Sequence, residues 1–282
     1  MSGFTSFTDF KNQVVDGGQT HRSTFRKTTT VATTAGVFFD GSMMSGHPVT
    51  NFYASSPLVA ATLLGREGIQ HGSDQSPNKK FLKSVTAFCN VAPINLMFTD
   101  TLLYYPFIDG DETGEQVLDN TVTLPRYTTG QNVRAYLVAQ GVYVGGAQFF
   151  FTYTNQDGVA GRISGTCTSN TSTTAGTVVN TGTTTGLFGW SIPLAPGDTG
   201  IRSVQSFQWL TANGGIFALV LATELGFVTI REAKVPAEKD FFIETGMNPP
   251  QIVDGAFLNY LVLPNASLAA TPIIGTINTI WG

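Results

Sequence analysis

Charged side chains are scarce in this sequence, since Asp, Glu, Lys and Arg make up 12% of its 282 residues. An ordinary soluble domain has about 25%. The net charge of −4 provides no basic field, so we expect no nucleic acid among the partners. Polar surface must therefore come mainly from Thr, Ser, Asn, Gln and Gly. Such a surface repels other molecules weakly, which favours packing against other proteins; a monomeric β protein with a neutral surface is the alternative.

Long apolar runs and cysteine motifs are also missing. The longest apolar run, residues 216–222, has seven residues, whereas a bilayer-spanning helix needs about 20. We expect no membrane partner, and the residues after Met1 contain no apolar core of a secretory signal. Cys89 and Cys167 form no metal motif. We expect two reduced, half-buried thiols, with a bridge between them as the alternative.

The three histidines show no catalytic pattern. His21, His47 and His71 have no metal-ligand spacing. His47 and His71, with Asp74 nearby, offer general-base chemistry, but no nucleophile motif such as GxSxG accompanies them. No phosphate-binding loop is present either. We therefore expect no enzymatic activity, no catalytic residue and no cofactor.

One acidic segment, DGDETGEQVLDN, imitates a calcium-binding loop. Asp109 and Asp111 take its positions 1 and 3, but Asn120 stands at position 12, where a bidentate Glu is needed. The flanking segments are typical of strands rather than helices. We interpret the segment as an exposed acidic loop. A calcium site formed by Asp109, Asp111 and Glu115 is the alternative.

Residues 1–37 are predicted to form a short helix followed by an extended arm. Phe7, Phe10 and Val14 recur at helical spacing, and Gly17-Gly18 ends the helix. A helix of about ten residues is marginal alone, so its apolar stripe must be covered by the body or by a neighbouring subunit.

The arm that follows is rich in Thr and carries a local excess of basic residues. Such a segment suits contact with an acidic partner or with nucleic acid, or simple solvation. Apolar residues without charge also end the chain, and residues 265–282 are predicted to pack as a tail on the body or on a neighbour. These segments supply the candidate interface residues, which are Phe7, Phe10, Val14, Arg22, Arg26 and Trp281.

The remainder of the chain predicts a mainly β protein. Residues 38–80 are irregular, with a short helix expected between residues 56 and 65. Residues 81–264 contain many short β-branched and aromatic runs. Asp157-Gly158 and Asn213-Gly214 each predict a tight hairpin turn. Together these features predict an antiparallel, jelly-roll-like β-sandwich body.

Two segments raise questions about what covers them. Aromatic residues are consecutive in DTLLYYPFID and AQFFFTYTN, so rings lie on both faces of a strand. One face can fill a core, and the other must meet a second layer, a neighbour or a sugar. Residues 164–186 are rich in Thr and lack charge, which indicates an exposed loop or edge hairpin, or a contact surface between subunits.

Four segments resemble virion structural proteins of tailed bacteriophages. They are DTLLYYPFIDGDETGEQVLDNTVTLPRYTTG, FTYTNQDGVAGR, PLAPGDTGIRSVQSFQWLTANGGIFALVL and PQIVDGAFLNYLVLPN. The matching blocks lie between about residues 46 and 265, and residues 164–186 fall between them as a variable surface loop. The resemblance implies a structural protein of a phage particle and carries over no functional residue.

The resemblance and the composition together lead us to expect a homo-oligomeric decoration or cement protein on the capsid. It would reinforce contacts between shell subunits of a virion assembled in the host cytoplasm. Its partners would be copies of itself and other virion proteins, the major capsid protein above all. The alternatives are a tail or fibre component that contacts host-surface glycans, and a carbohydrate-active enzyme.

Overall fold

The computed structural model describes residues 3–91, 93–172, 174–182, 189–246 and 248–282. Its helices are short: α1 (Phe7–Phe10) runs into a π-helical turn (Lys11–Asp16), and α2 is Phe241–Glu244. Two 3-10 turns are Gly41–Met43 and Gly65–Glu67. None of the helices in the described part of the chain is long and apolar enough to cross a membrane.

Strands dominate the described residues. They are β1 (Thr20–Thr28), β2 (Phe39–Asp40), β3 (Ser45–His47), β4 (Lys80–Cys89), β5 (Ile94–Asp109), β6 (Gln116–Val117), β7 (Arg134–Ala139), β8 (Gln148–Asn155), β9 (Arg162–Ile163), β10 (Cys167–Thr168), β11 (Ile201–Trp209), β12 (Ile216–Ile230), β13 (Ala237–Asp240), β14 (Gln251–Ile252), β15 (Phe257–Pro264) and β16 (Pro272–Trp281).

These strands form three antiparallel sheets. The terminal sheet has the order β13-β4-β16-β1-β3, with β14 also paired to β4. The central sheet has the order β2-β15-β5-β12-β7, and the aromatic sheet has the order β10-β8-β11-β6, with β9 paired to β8. The predicted mainly β, antiparallel sandwich class is confirmed, and the sandwich has a third layer.

The central sheet is buried on both faces. Along β12, Phe217, Leu219 and Leu221 pack toward the aromatic sheet, while Ala218 and Val220 pack toward the terminal sheet. Because successive side chains of a strand point to opposite faces, a strand between two layers must be apolar at every position. This explains the unbroken apolar run at residues 216–222.

The core between the terminal and central sheets is built from rings and branched aliphatic side chains. Phe25 lies 5.4 Å from the ring of Tyr260 and 6.0 Å from that of Phe98. Val85 and Ile277, from the two strands in the middle of the terminal sheet, are fully buried in the same cluster. The first and last thirds of the chain therefore meet in this core.

The core between the central and aromatic sheets is built around a group of packed rings. The Phe149 and Trp209 ring centroids lie 5.0 Å apart, and those of Trp209 and Phe217 lie 4.9 Å apart. Phe207 stacks on Phe149 at 5.4 Å. For DTLLYYPFID, which lies in β5, the second face meets a second layer that this chain supplies. On β8, Phe150 stays half-buried on the side of the aromatic sheet that faces away from the core.

The two ends of the chain pair with each other. β1 and β16 are antiparallel in register from Thr20 opposite Ile280 to Thr28 opposite Pro272, and β16 lies between β1 and β4. Residues 272–281, expected in an apolar tail, are thus an inner strand of the terminal sheet, and residues 20–28, expected in an extended arm, pair with that strand along their whole length. The two strands pair because each supplies hydrogen-bond partners for the backbone N–H and C=O groups of the other.

The helix expected between residues 56 and 65 does not form. Ala61 and Tyr104 instead exchange two backbone hydrogen bonds of 2.9 Å, and the Ala60 N–H donates to the carbonyl oxygen of Asp119 at 2.9 Å. Ala60 and Leu63 are buried against the body. Pairing with distant strands therefore outweighs the local helix signals of Pro57 and the neighbouring Ala and Leu residues.

One of the two predicted hairpins is confirmed. Asp157-Gly158 joins β8 to β9, which pair with each other, and Gly158 has the positive φ of 81° that the turn requires. Asn213-Gly214 instead joins β11 of the aromatic sheet to β12 of the central sheet. The predicted hairpin there is wrong, because the strands on either side of the turn lie in different layers.

The Thr-rich segment is largely buried over the part the structure describes, which excludes residue 173 and residues 183–188. The N–H of Val178 donates to the carbonyl oxygen of Phe38 at 2.8 Å, and that of Val179 to Leu137 at 2.7 Å. The segment therefore covers the β7 edge of the central sheet. The expectation of an exposed loop is wrong for these residues.

Amide side chains complete the polar contacts of this edge. Asn170 Nδ2 donates to the carbonyl oxygens of Val178 at 3.0 Å and Thr181 at 2.7 Å. Asn180 Oδ1 accepts from the N–H of Leu137 at 2.9 Å. Uncharged polar residues are suited to this position because they satisfy buried backbone groups without burying a charge.

Both cysteines are free and buried, where half-buried thiols were expected. Cys89 packs in the core beside the terminal sheet and Cys167 in the core beside the aromatic sheet, so the two thiols lie in different cores. Burial raises the pKa of the Cys167 thiol to about 12 and also raises that of Cys89. Neither thiol carries a negative charge at neutral pH.

We predict that removal of residues 1–18 leaves the body folded, whereas removal of residues 1–30 destabilises it strongly, because the longer deletion takes away β1. Phe25→Ala in the full chain should cost about 3–5 kcal/mol of unfolding free energy, and Thr24→Ala on the exposed side of β1 less than about 0.5 kcal/mol. Chemical denaturation followed by circular dichroism measures both. Equal stability of the two deletion variants would contradict the assignment of β1 to the sheet.

Candidate interaction surfaces

The N-terminal helix packs on the end of the terminal sheet. Ser6 caps it by accepting the Asp9 N–H at 3.1 Å. The Phe10 ring stacks on Phe242 at 4.6 Å, and Val14 packs in the same cluster. Phe7, the third member of the predicted stripe, remains 66% exposed. The body therefore covers the inner part of the stripe and leaves its outer end in solvent.

The other predicted interface residues lie on the terminal sheet itself. Trp281 is half-buried at the end of β16, and its N–H donates to the Gln19 carbonyl oxygen at 3.3 Å. Arg22 and Arg26 are exposed on β1, where Arg22 Nε donates to Asn278 Oδ1 at 2.8 Å. All six predicted residues thus belong to this sheet or to the helix at its end.

The side of the terminal sheet that faces away from the core, here called the outer face, is open to solvent. Cross-strand neighbours share a face, so the strand registers define rows of side chains across it. One row runs from Arg26 through Ile274 to Phe88, and the next from Thr24 through Thr276 and Thr86 to Glu238. The residues of these rows are exposed or half-buried. In these two rows the charged side chains stand only at the ends, Arg26 on β1 and Glu238 on β13.

A second surface lies on the loops at one end of the body. Its large apolar side chains are Phe52, Val142, Val144, Leu210 and Ile216, here called the loop patch. Val142 and Val144 are 75% and 73% exposed. Residues 140–147 and 210–216 contain no charged side chain.

Hydrogen bonds between the loops hold the loop patch together. The Gln140 N–H donates to the Ile216 carbonyl oxygen at 2.8 Å, and Gln140 Nε2 donates to that of Phe52 at 2.8 Å. The Val144 N–H donates to the Asn213 carbonyl oxygen at 2.8 Å. Sequence reasoning missed this patch because its residues come from three distant segments and none of them is periodic.

The acidic loop is closed by a glutamine. Gln116 Nε2 donates to the Asp109 carbonyl oxygen at 2.8 Å, and Gln116 Oε1 accepts the Asp109 N–H at 2.8 Å. Asp109 Oδ1 accepts from the Asp111 N–H at 2.9 Å. In the part of the chain that the structure describes, no group of three or more His, Cys, Asp or Glu residues is placed to hold a metal ion, and Asp109, Asp111 and Glu115 form no such group.

Two of the histidines line one groove of 590 Å³ together with Ser73 and Asp74. His71 is buried, and its Nε2 lies 2.9 Å from the Ala256 carbonyl oxygen. Among the described hydrogen bonds, none joins Ser73 to His21 or His71. The groove therefore lacks the contact between nucleophile and base that covalent catalysis uses.

Burial lowers the pKa of His71 to about 4, and the nearby Lys80 ammonium adds to this effect. His71 is therefore neutral at pH 7. Asp74 acts in the opposite direction and the Arg126 guanidinium in the same direction as Lys80. The buried imidazole is thus a group that resists protonation in the folded state.

A buried carboxylate anchors the loop that follows β2. Asp40 Oδ2 accepts from the hydroxyls of Tyr53 at 2.6 Å and Tyr136 at 3.1 Å. Its Oδ1 accepts from Asn259 Nδ2 at 2.7 Å and from the Ser42 N–H at 2.8 Å. With four donors the carboxylate is fully hydrogen-bonded, and it ties this loop to β7 and β15.

Two buried cations are satisfied by the protein as well. Arg126 binds both carboxylate oxygens of Asp100, at 2.9 and 2.7 Å. Lys27 Nζ donates to the Pro48 carbonyl oxygen at 2.9 Å, and burial lowers its pKa to about 8. These groups hold loops to the body.

We predict that the stability of the protein falls by about 2 kcal/mol between pH 7 and pH 5 on account of His71. The unfolded imidazole titrates near 6.5 and the folded one near 4, so the unfolded state binds the proton first as the pH falls. His71→Gln, which stays neutral, should remove this loss, while His47→Gln on the exposed strand β3 should keep it. Urea unfolding at the two pH values measures the effect; equal pH dependence in both variants would contradict it.

Comparisons with known proteins give no family. No family model matches the chain, and no curated protein matches it. Two solved structures from infectious bursal disease virus align with it. One is a mutant VP2 protein in derived T=1 particles, at 10% identity over 93% of this chain and 77% of that chain, with a TM-score of 0.16. The other is the Gt strain structure, at 11% identity over 93% and 80%, with a TM-score of 0.16. Likeness at this level carries no argument about fold or function.

Proposed function

We propose that this chain is a structural protein of a virus particle, bound to the capsid as a decoration protein that reinforces contacts between shell subunits. The assignment to a virus particle rests on the resemblance of four segments to virion proteins of tailed phages. The observation that carries it is the loop patch, which presents five large apolar side chains on uncharged loops. The proposal assigns the chain no catalytic role and no cofactor.

The loop patch is suited to a permanent contact because its position is fixed. β7, β8, β11 and β12, which flank its loops, belong to the two sheets that enclose the aromatic core. A patch on rigid loops loses little conformational freedom when a partner covers it, so more of the burial free energy remains for binding. Exposed apolar side chains gathered on neighbouring loops are typical of protein–protein contact sites.

The energy of one such contact is modest. Burying the exposed remainder of five apolar side chains contributes about 1 kcal/mol each, or about 5 kcal/mol before the cost of association. One patch alone therefore holds a partner weakly. A shell offers repeated sites, and a chain that also contacts a neighbouring copy gains from multivalency.

The distribution of aromatic rings favours protein contacts over stacking on sugars. Large exposed aromatic side chains in the described part of the chain are Phe7, Phe52 and Phe227. Trp190 and Trp209 are buried. Glycan recognition by a tail or fibre component relies on exposed rings, so this alternative has less support than a capsid contact.

We predict that the purified chain co-sediments with empty shells assembled from the major shell protein of the same genome and raises their rupture temperature. The double variant Val142→Lys, Val144→Lys should lose both effects, because it puts two ammonium groups into the contact. Val159→Lys is the matched control, since Val159 is an exposed valine on a different loop, and it should bind normally.

Two results would count against the proposal. If the chain stays in the supernatant when it is sedimented with shells of the same genome, it is not a decoration protein. A chain that instead binds host cells, or turns over a glycan, would support the tail or the enzyme alternative. Thermal unfolding of each variant alone confirms that the substitutions leave the fold intact.

A further inference from the structure

We propose that a second copy of this chain packs on the outer face of the terminal sheet, forming a two-fold symmetric dimer through that face. The inference rests on the proposed function in one respect: both assume that the uncharged exterior is there to be covered by protein. It concerns a different surface from the loop patch, so the two can fail separately.

The charges of the outer face that form no ion pair within the described chain lie at its opposite edges. Arg22 and Arg26 are on β1 and His47 is on β3, directly opposite Arg26. Glu238 is on β13, at the other edge. Since β1 and β13 are three strand spacings apart, about 14 Å separates the two edges. Between these edges, Lys83 of β4 is ion-paired with Asp240 of β13. The unpaired charges of the face are therefore basic at one edge and acidic at the other.

The charges at the two edges have no partner of opposite sign within the described chain. Neither Arg26 nor Glu238 forms an ion pair there, whereas their charged neighbours do. Lys83 binds Asp240 at 2.9 Å, and Lys239 binds Glu244 at 2.6 Å. Glu238 is thus an acidic group on this face that no cation of the described residues neutralises.

A two-fold axis can bring the basic edge of one copy onto the acidic edge of the other. This axis runs parallel to the strands, between β4 and β16, in the plane where the two copies meet. At the level of Thr24, where β3 does not reach, the four strands β13-β4-β16-β1 lie symmetrically about that line. Rotation therefore places β13 of the second copy over β1 of the first. Glu238 lies in the same cross-strand row as Thr24. It therefore lands over Thr24.

Arg22 and Arg26 flank Thr24 on the same side of β1, each two residues away and so about 6.6 Å along the strand. The carboxylate of Glu238 from the second copy arrives between two guanidinium groups. Two-fold symmetry makes this contact twice in each dimer. In this arrangement the basic edge of each copy meets the acidic edge of the other. The face therefore complements itself, and for this reason we propose a second copy as its partner.

The centre of the face suits such a contact. Thr24, Thr276 and Thr86 form a row of short side chains, with Ile274 and Phe88 in the adjacent row. Short side chains let two sheets approach to about 10 Å, the usual spacing of stacked sheets. The face measures about 19 by 23 Å from strand spacing and rise, which is small for a stable interface. We therefore expect a dimer with micromolar affinity that weakens as salt screens the edge charges.

The experiment is a charge exchange on the full chain, measured by sedimentation velocity from about 1 to 100 µM at low salt. Arg26→Glu and Glu238→Arg should each weaken the dimer by about tenfold or more, because each places like charges in contact twice. An equimolar mixture of these two variants should dimerise again. In the mixed dimer every Glu meets an Arg, at both symmetric contacts.

Matched controls use exposed charges away from the face. Arg66→Glu and Glu115→Arg make the same charge changes in the Gly65–Glu67 turn and in the acidic loop, and they should leave dimerisation unchanged. Circular dichroism of every variant confirms folding. If the mixture stays monomeric, or if Arg26→Glu dimerises like the unaltered chain, the inference is overturned.

The two proposals are told apart by crossing the variants with the assays. Arg26→Glu is expected to lose the dimer and keep measurable binding to shells through the loop patch. The Val142→Lys, Val144→Lys variant is expected to keep the dimer and lose the shells. An unaltered chain that stays monomeric at 100 µM refutes the dimer and leaves the capsid contact standing.

Discussion

The structure depends on the burial of the central sheet on both faces. β5, β7 and β12 carry apolar side chains toward two different cores, so no single covering layer is sufficient. The chain supplies both layers itself: its two ends and β4 form one, and the strands between residues 148 and 209 form the other. Because β16 lies between β4 and β1, this core is complete only when that strand is in place.

Burial on two faces also explains how the scarce charges and the abundant Thr, Ser and Asn residues are used. Asp40 and the Asp100–Arg126 pair are buried, and each is fully hydrogen-bonded. The segment that covers the edge of β7 uses Asn170 and Asn180 for the same purpose. Neutral polar residues thus act inside the protein as well as on its surface, because a buried amide or hydroxyl costs less than a buried charge once it is paired.

The two surfaces without a cover in the single chain differ in character. The loop patch is apolar and rests on the ends of strands, whereas the outer face of the terminal sheet is flat, rich in Thr and charged at its edges. An apolar patch obtains its affinity from area removed from water. Edge charges contribute more to orientation and register than to affinity. In the role we propose, the chain needs both, since it must hold a partner and also repeat its placement in every copy.

Residue patterns by themselves determined the β class and the tight turn at Asp157-Gly158, because each depends on local conformation or on strong composition. Tertiary structure decided the rest. The sequence predicted a polar arm at β1 and a tail at β16. It could not show that they pair, because the partner of each strand lies at the other end of the chain and the local sequence does not identify it. The apolar residues before Gly65 favour a helix locally, yet pairing with Tyr104 holds them extended. Aromatic residues on both faces of a strand required a second layer, and only the folded chain showed that this layer was its own.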